Sequence, residues 1–124
     1  MIKILMIKGQ SGFQDIFQRK LSEGGYLCTK ISCDDDFRKI LKEKHFDVVF
    51  IQVNSQKSDV QKLKEFHQMY PLIPVIICGN IKNIEETVAY FDNGASDCIT
   101  LECSGGELVA RVRAVIRRSQ RRRV

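Results

Sequence analysis

Several features of membrane, secreted and metal-binding proteins are missing from this chain of 124 residues. No apolar run approaches the roughly 20 residues that a membrane-spanning helix needs, so we expect no membrane partner. Met1-Ile2-Lys3 leads directly into an apolar segment, so we expect no signal peptide and a cytoplasmic location. The five cysteines contain no CxxC pair and no zinc-type spacing, which predicts reduced, mostly packed thiols and no bound metal. Cys103, after a short predicted strand, is the candidate for an exposed thiol.

Acidic residues are absent from positions 111–124, which hold seven arginines. The formal net charge of +5 belongs to this tail, because the rest of the chain has 13 basic and 15 acidic residues. This distribution argues against a nucleic-acid-binding surface on the body of the domain.

Apolar runs of strand length alternate with amphipathic segments along the whole chain. Helical spacing is exemplified by Val60, Leu63, Phe66 and Met69, which step by three and predict a helix. We expect strands near 2–7, 26–32, 48–51, 75–78 and 98–101. This pattern predicts one α/β domain with a flavodoxin-like (βα)5 doubly wound parallel sheet of strand order 2-1-3-4-5. Function should then lie at the strand ends, within residues 8–12, 52–56, 79–82 and 101–104.

The loop Lys8-Gly9-Gln10-Ser11-Gly12 follows the first predicted strand. One interpretation is a phosphate cradle made by backbone N–H groups and the lysine. However, the loop lacks the full Walker spacing and the Ser/Thr-rich character of a flavodoxin phosphate site. The other interpretation is a glycine-shaped turn in which Ser11 caps the first helix.

One long segment carries a specific resemblance. The sequence GASDCITLECSGGELVARVRAVIRR, residues 94–118, resembles the end of a receiver domain from bacterial response regulators. It is most similar to the subfamily that carries a winged-helix DNA-binding domain (OmpR/PhoB-type). The segments IKILMI, FDVVFIQV and IPVIICGN fit the first, third and fourth strands of the same domain, so the likeness covers the whole chain.

The resemblance implies a phosphorylation pocket at the strand ends, and this chain departs from it at every functional position. In the family, two Mg²⁺-binding acids follow the first strand, and the phosphate-accepting aspartate ends the third. A Ser or Thr ends the fourth strand, a Lys-Pro pair follows the fifth, and an aromatic switch residue lies on the fifth. The corresponding residues here are Lys8 and Gly9, Gln52, Gly79, Leu101 with Glu102, and Cys98.

Each replacement removes a chemical function. The ammonium of Lys8 repels a divalent metal, and Gln52 has no anionic oxygen to attack phosphorus. Gly79 has no side-chain donor, and Leu101 cannot offset phosphoryl charge. Asp47 begins its strand at the opposite pole, so it is not a substitute acceptor. We therefore expect no enzymatic activity, no cofactor and no phosphorylation by a sensor kinase.

Lys8 invites a sharper hypothesis. Its charge stands where the family holds a metal ion, so it could replace that cation and fix the domain in one conformational state. Unchanged stability and dimerisation in Lys8→Ala and Lys8→Asp would remove the hypothesis.

The resemblance also implies a symmetric dimer through the fourth helix, fifth strand and fifth helix. The family's interface charges correspond to Asp97, Glu107, Arg111 and Arg118, all retained in type. Ser96, Thr87 and Asn93 depart from the charged pattern, so the salt-bridge network is expected to be thinner, and exposed pairs stabilise by only about 0–1 kcal/mol each. A solvated helix face is the alternative interpretation.

The resemblance divides the chain into a receiver-like domain, 1–118, and the start of a basic linker, 119–124. The linker would lead to a DNA-binding domain not present in this chain. A basic arm on DNA phosphates and a solvated tail are the alternatives. The sequence thus predicts a phosphorylation-independent regulatory and dimerisation domain of a bacterial two-component-type transcriptional regulator, an atypical or pseudo-receiver. A stand-alone protein-interaction module and a nucleotide- or FMN-binding domain using the Lys8–Gly12 loop remain open.

Overall fold

The chain folds into alternating strands and helices. The computed structural model describes residues 1–9, 16–33 and 35–122, without the side chains of Ile16 and Arg122. The elements within these ranges are β1 (Lys3–Lys8), α1 (Ile16–Glu23), β2 (Leu27–Ser32), α2 (Phe37–Glu43), β3 (Val48–Asn54), α3 (Lys57–Met69), β4 (Val75–Asn80), α4 (Ile84–Asp92), β5 (Asp97–Thr100) and α5 (Gly105–Arg122). All strand pairs are parallel, in the order β2-β1-β3-β4-β5, which confirms the predicted fold class.

Two apolar layers cover the sheet, one on each face. On one face, residues such as Ile4 and Phe50 pack with Phe17 of α1 and Val112 of α5. On the other, the core cluster includes Leu5, Val49, Leu63, Phe66 and Tyr90, so α3 and α4 lie on this side. Successive strand residues face opposite layers, which explains why the central strands are apolar without interruption.

Short polar residues define several helix ends. Asp36 begins α2, where its carboxylate accepts the N–H of Arg38 at 3.0 Å. Asn83 caps α4 in the same way, because its Oδ1 accepts the N–H of Glu86 at 2.9 Å. Gly94 follows α4 with φ of 113°, a conformation that glycine adopts readily.

The helix predicted from Val60, Leu63, Phe66 and Met69 is confirmed as α3, but its last residue, Met69, lies outside the core. Its side chain is 44% exposed, whereas Leu63 and Phe66 are buried. Steps of three turn the helix by 300° each, so nine residues carry a side chain from one face to the other. The spacing from Val60 to Met69 therefore cannot keep both ends in the core.

The structure also corrects the expected exposure of Cys103. This residue is only 7% exposed and belongs to the apolar layer on the sheet face covered by α1 and α5, here called the α1/α5-side core. All five cysteines are free thiols, and Cys78 is buried as well. Among residues 1–9, 16–33 and 35–122, no helix is long and apolar enough to cross a membrane.

Several element boundaries differ from the predicted ones. β3 and β4 continue to Asn54 and Asn80, so Gln52 and Gly79 are strand residues. α5 continues to Arg122, so positions 119–122, expected to begin a linker, are helical. A connection from this helix to a further domain stays a prediction.

Candidate functional site

The strand register brings the predicted pocket positions to one edge of the sheet. Ile7 pairs with Ile51, so Lys8 on β1 and Gln52 on β3 end side by side. Gln52 pairs with Cys78, and Gly79 pairs with Thr100, the residue before Leu101. Lys8, Gln52 and Gly79 therefore lie in a staggered row on three neighbouring strands, and Leu101 directly follows the fourth.

The side chain of Gln52 forms a hydrogen bond at the first part of this row. Its side-chain Oε1 accepts the backbone N–H of Gly9 at 2.8 Å, in a partly buried position. The bond ties β3 to the residue that directly follows β1. A cavity of about 310 Å³ lies beside it, lined by Gly9, Gln52, Asn54, Gln56, Ser58, Asp59 and Lys62.

The end of β4 has a backbone that excludes side chains. Gly79 has φ of 128°, and a β-carbon there would press against the carbonyl oxygen of Val53 on β3. Both the dihedral and the contact select glycine. The missing Ser or Thr donor is therefore a property of this backbone as well as of the sequence.

Asp59, which sequence reasoning missed, organises the loop between β3 and α3. It is only 5% exposed. Its Oδ2 accepts the N–H of Gln56 at 2.9 Å and the N–H of Asn54 at 3.2 Å. An acid three residues after a helix N-cap is a recognised capping pattern, so the spacing from Gln56 to Asp59 could have indicated it.

Ser55 and Glu86, also missed, connect the loops that follow β3 and β4. Ser55 Oγ lies 3.0 Å from Glu86 Oε2 and 3.2 Å from the carbonyl oxygen of Asn80. Glu86 Oε2 also accepts the N–H of Lys82 at 3.0 Å. Ser55 and Glu86 are 31 positions apart, so no local pattern signals this contact.

Cys98, predicted at the switch position, is half-buried on β5. It packs against the apolar layer on the sheet face covered by α3 and α4, here called the α3/α4-side core. This layer contains Tyr90. Burial, followed by the charge of Asp97, raises the pKa of the Cys98 thiol to about 12. Burial, followed by the charge of Asp59, also raises the pKa of Tyr90 above its ordinary value.

The predicted interface charges meet within a single copy of the chain. Both Asp97 carboxylate oxygens accept from Arg111 Nη1 at 3.2 Å. Hydrogen bonding to Asp97 raises the pKa of Arg111. The Arg111 Nε also lies 3.8 Å from Glu107 Oε2, and Arg118 donates to the carbonyl oxygen of Ser96 at 3.1 Å.

Two further predictions concern Asp47 and the loop that follows β1. Asp47 lies at the opposite pole, where its Oδ2 accepts the N–H of Lys3 at 2.8 Å. Gln10, Ser11 and Gly12 lie outside the described residues, and with them the phosphate-cradle and Ser11-cap interpretations. Within the described ranges, no group of three His, Cys, Asp or Glu side chains is placed to hold a metal ion.

Comparison with known proteins finds similarity over nearly the whole chain. It is 24% identical over 119 residues to the probable transcriptional regulator ycf27 of Guillardia theta, covering 96% of this chain and 47% of that protein. It is 26% identical over 120 residues to the transcriptional regulatory protein GltR of Pseudomonas aeruginosa, covering 94% and 50% respectively. The chain thus spans about half the length of these relatives. No protein-family model matches it.

The fold has close counterparts among solved structures. A CheY-like response regulator receiver domain protein from Methanospirillum hungatei superimposes with a TM-score of 0.80 at 14% identity. The match covers 98% of both chains. This chain therefore has the fold of a response regulator receiver domain, and its sequence is similar to about half of each of two transcriptional regulators.

Proposed function

We propose that this chain is a phosphorylation-independent receiver-like domain, the regulatory and dimerisation domain of a bacterial transcriptional regulator. The hydrogen bond from Gly9 N–H to Gln52 Oε1 carries the proposal. The residue at the acceptor position uses its side-chain oxygen to join two strand ends. An uncharged amide in that role supplies no nucleophile for phosphoryl transfer.

The surrounding row supports the same conclusion. Lys8 contributes a positive charge beside Gln52, where the family holds acids around a metal ion. We extend the proposal to this lysine, whose ammonium takes the place of the cation and favours one conformational state. Gly79 and Leu101 supply no donor or charge for a phosphoryl group. A sensor kinase is therefore not its phosphoryl donor, and the domain catalyses no reaction.

An exposed apolar stripe on α4 supports dimerisation. Ile84, Val88 and Phe91 are 74%, 52% and 46% exposed, and their spacing places them along one side of the helix. Exposed apolar side chains that line up in this way are typical of an interaction surface. We call Ile84, Val88 and Phe91 the α4 stripe.

The proposed occupant of the α4 stripe is a second copy of this chain. The charged cluster on β5 and α5 contains both signs, because Asp97 and Glu107 contact Arg111, and Arg118 donates to the carbonyl oxygen of Ser96 nearby. A two-fold axis brings the same patch of each copy together, so acids of one copy can meet bases of the other. These residues would exchange or share the partners that they have within one copy.

DNA is the proposed partner of a module beyond residue 124, in the cytoplasm. The support is that the chain spans about half the length of relatives named as transcriptional regulators. α5 carries exposed arginines to its end, including Arg113, Arg117 and Arg121. A two-fold dimer would place two such modules at a spacing set by its symmetry.

Sedimentation at micromolar concentration tests the proposal, with and without Mg²⁺ and beryllofluoride. We expect the same dimer under both conditions. A monomer that dimerises only with the phosphate mimic would refute the proposal. A monomer under both conditions would remove dimerisation and favour the stand-alone interaction module.

A further inference from the structure

Ser55 has a backbone conformation that a residue with a β-carbon adopts only rarely. Its φ is +57°, in the left-handed region. The neighbours on either side, Asn54 and Gln56, both donate their N–H groups to the buried carboxylate of Asp59. Asp59 therefore holds the loop around Ser55, and an unfavourable conformation persists where its surroundings determine it.

This conformation directs the Ser55 hydroxyl across to the next loop. The hydroxyl has one proton, and the charged Glu86 carboxylate at 3.0 Å is a stronger acceptor than the Asn80 carbonyl at 3.2 Å. A second contact runs parallel to it, because Asn80 Nδ2 donates to Asn54 Oδ1 at 3.3 Å. One side-chain bond thus joins the loop after β3 to the first turn of α4, and the other joins the last residues of β3 and β4.

Glu86 extends this connection into α4. Its Oε2 accepts from Ser55 and from the backbone N–H of Lys82, and its own N–H donates to the Asn83 cap. One carboxylate therefore joins the β3–α3 loop, the β4–α4 loop and the first turn of α4. A negative charge in the first turn of a helix is also favoured by the helix dipole.

The far half of α4 is held in another way. Tyr90 is buried in the α3/α4-side core, next to the half-buried Cys98. The Glu86 contacts hold the first turn, and Tyr90 holds the last. Ile84 and Val88 of the α4 stripe lie two positions before and after Glu86 on the same helix, so a shift of the first turn of α4 would also move these side chains.

We infer that the Ser55–Glu86 hydrogen bond is a latch that fixes α4 against the β3–α3 loop and presents the α4 stripe in one arrangement without phosphorylation. The inference rests on the proposed function, because it assigns Ser55 and Glu86 as positioning residues for the proposed dimer surface. Neither residue lies on the α4 stripe itself. Their effect on dimerisation would therefore be indirect.

Amide hydrogen exchange of the full chain tests the latch directly. We expect Glu86→Ala to speed exchange of the Lys82 N–H and of the Asn54–Gln56 amides by about tenfold, because a hydrogen bond to a charged group is lost. The matched control is Glu85→Ala, which removes the exposed carboxylate one position earlier in the same helical turn. Equal exchange in Glu86→Ala and Glu85→Ala would overturn the inference.

Ser55 supplies a second, independent set of variants. Ser55→Gly suits the left-handed backbone but has no hydroxyl, so it removes the latch without adding strain. We expect Ser55→Gly and Ser55→Ala to speed exchange of the Asn54 and Gln56 amides, and Glu86→Ala to add little to the exchange of these two amides in either background. Fully additive effects would contradict the latch.

Sedimentation of the same variants separates this inference from the proposed function. If the latch positions the α4 stripe, Glu86→Ala and Ser55→Gly weaken dimerisation at least about threefold and Glu85→Ala does not. If the wild type is monomeric but its amide exchange depends on Ser55 and Glu86, the dimer and the role of the latch in it are refuted. The latch itself is then retained. If Glu86→Ala and Ser55→Gly speed amide exchange but leave dimerisation unchanged, the latch does not position the α4 stripe.

Discussion

The backbone at Gly79 determines what the end of β4 can carry. With φ of 128° and the Val53 carbonyl oxygen against the position of a β-carbon, any side chain adds both strain and overlap. Restoring the family's Ser or Thr therefore needs movement of β3 as well as substitution. A similar dependence holds for Gln52, whose side chain is a structural link to Gly9.

Gly79→Ser should lower the free energy of unfolding by about 2–4 kcal/mol, the sum of left-handed strain and a forced shift of Val53. Urea unfolding measures this loss. Gly106→Ser is the control, because a β-carbon at Gly106 meets no other atom within 4 Å. If Gly79→Ser unfolds at the same urea concentration as the wild type, the backbone at this position does not restrict the side chain.

Gln52→Ala should lower the free energy of unfolding by about 1–2 kcal/mol, because the Gly9 N–H loses its partner in a partly buried place. The measurement is again urea unfolding. The control is Gln61→Ala on α3, where an exposed amide donates to Glu65 on the same helix. Equal losses in both variants would show that the Gln52 bond contributes nothing specific.

Among the helices and strands, α4 has a buried side and an exposed side with different functions. Tyr90 buries one side against α3 and β5, whereas the α4 stripe leaves apolar side chains on the other. A helix that only covered the sheet would carry polar residues on its outer side. The exposed side of α4 is thus the surface through which the dimer is proposed to form.

Combining Val88→Ala with Phe91→Ala should weaken the dimer about tenfold or more, because large apolar side chains near an interface centre contribute much of its binding energy. Sedimentation equilibrium measures the change. Met69→Ala is the control, since it removes a similarly exposed apolar side chain from α3. An unchanged dissociation constant in the double variant would place the interface elsewhere.

At the scale of the whole molecule, the doubly covered sheet makes its thiols weak acids. Burial raises the pKa of Cys78 from 9.0 to about 12. Burial also raises the pKa of Cys103 to about 11. These thiols remain protonated in the folded chain over a range in which an unfolded chain ionises them.

The free energy of unfolding should therefore fall as the pH rises above 9.0, the ordinary thiol pKa. Below that pH, Cys78 is protonated in both states and its contribution is constant. Between 9.0 and about 12 only the unfolded state loses the proton, so this fully buried thiol lowers the stability by about 1.4 kcal/mol per pH unit.

Unfolding measured at several pH values from about 8 to 11 tests this dependence. Cys78→Ala should be less stable at neutral pH but have a shallower pH slope. Cys33→Ala, at a half-buried position outside both core layers, is the control. A slope unaffected by Cys78→Ala would show that this thiol does not titrate as its burial implies.

Much of the fold could be predicted from local patterns, and the errors are instructive. Strand residues such as Val48–Ile51 are apolar because both faces are covered, so a continuous run sufficed to identify them. The spacing from Val60 to Met69 identified α3 but not which of its residues are buried, because three-residue spacing drifts around a helix. Cys103 was expected to be exposed because a residue after a strand has no periodic signal for burial.

The sequence by itself determined the (βα)5 architecture and the residues Lys8, Gln52, Gly79 and Leu101 at the strand ends. Local periodicity sets each element, and parallel topology gathers strand ends at one edge. Only the tertiary structure decided that Gln52 bonds to Gly9, that Gly79 tolerates no side chain, and that Ser55 reaches Glu86. These facts depend on distances between residues far apart in the chain, which packing sets and sequence spacing does not.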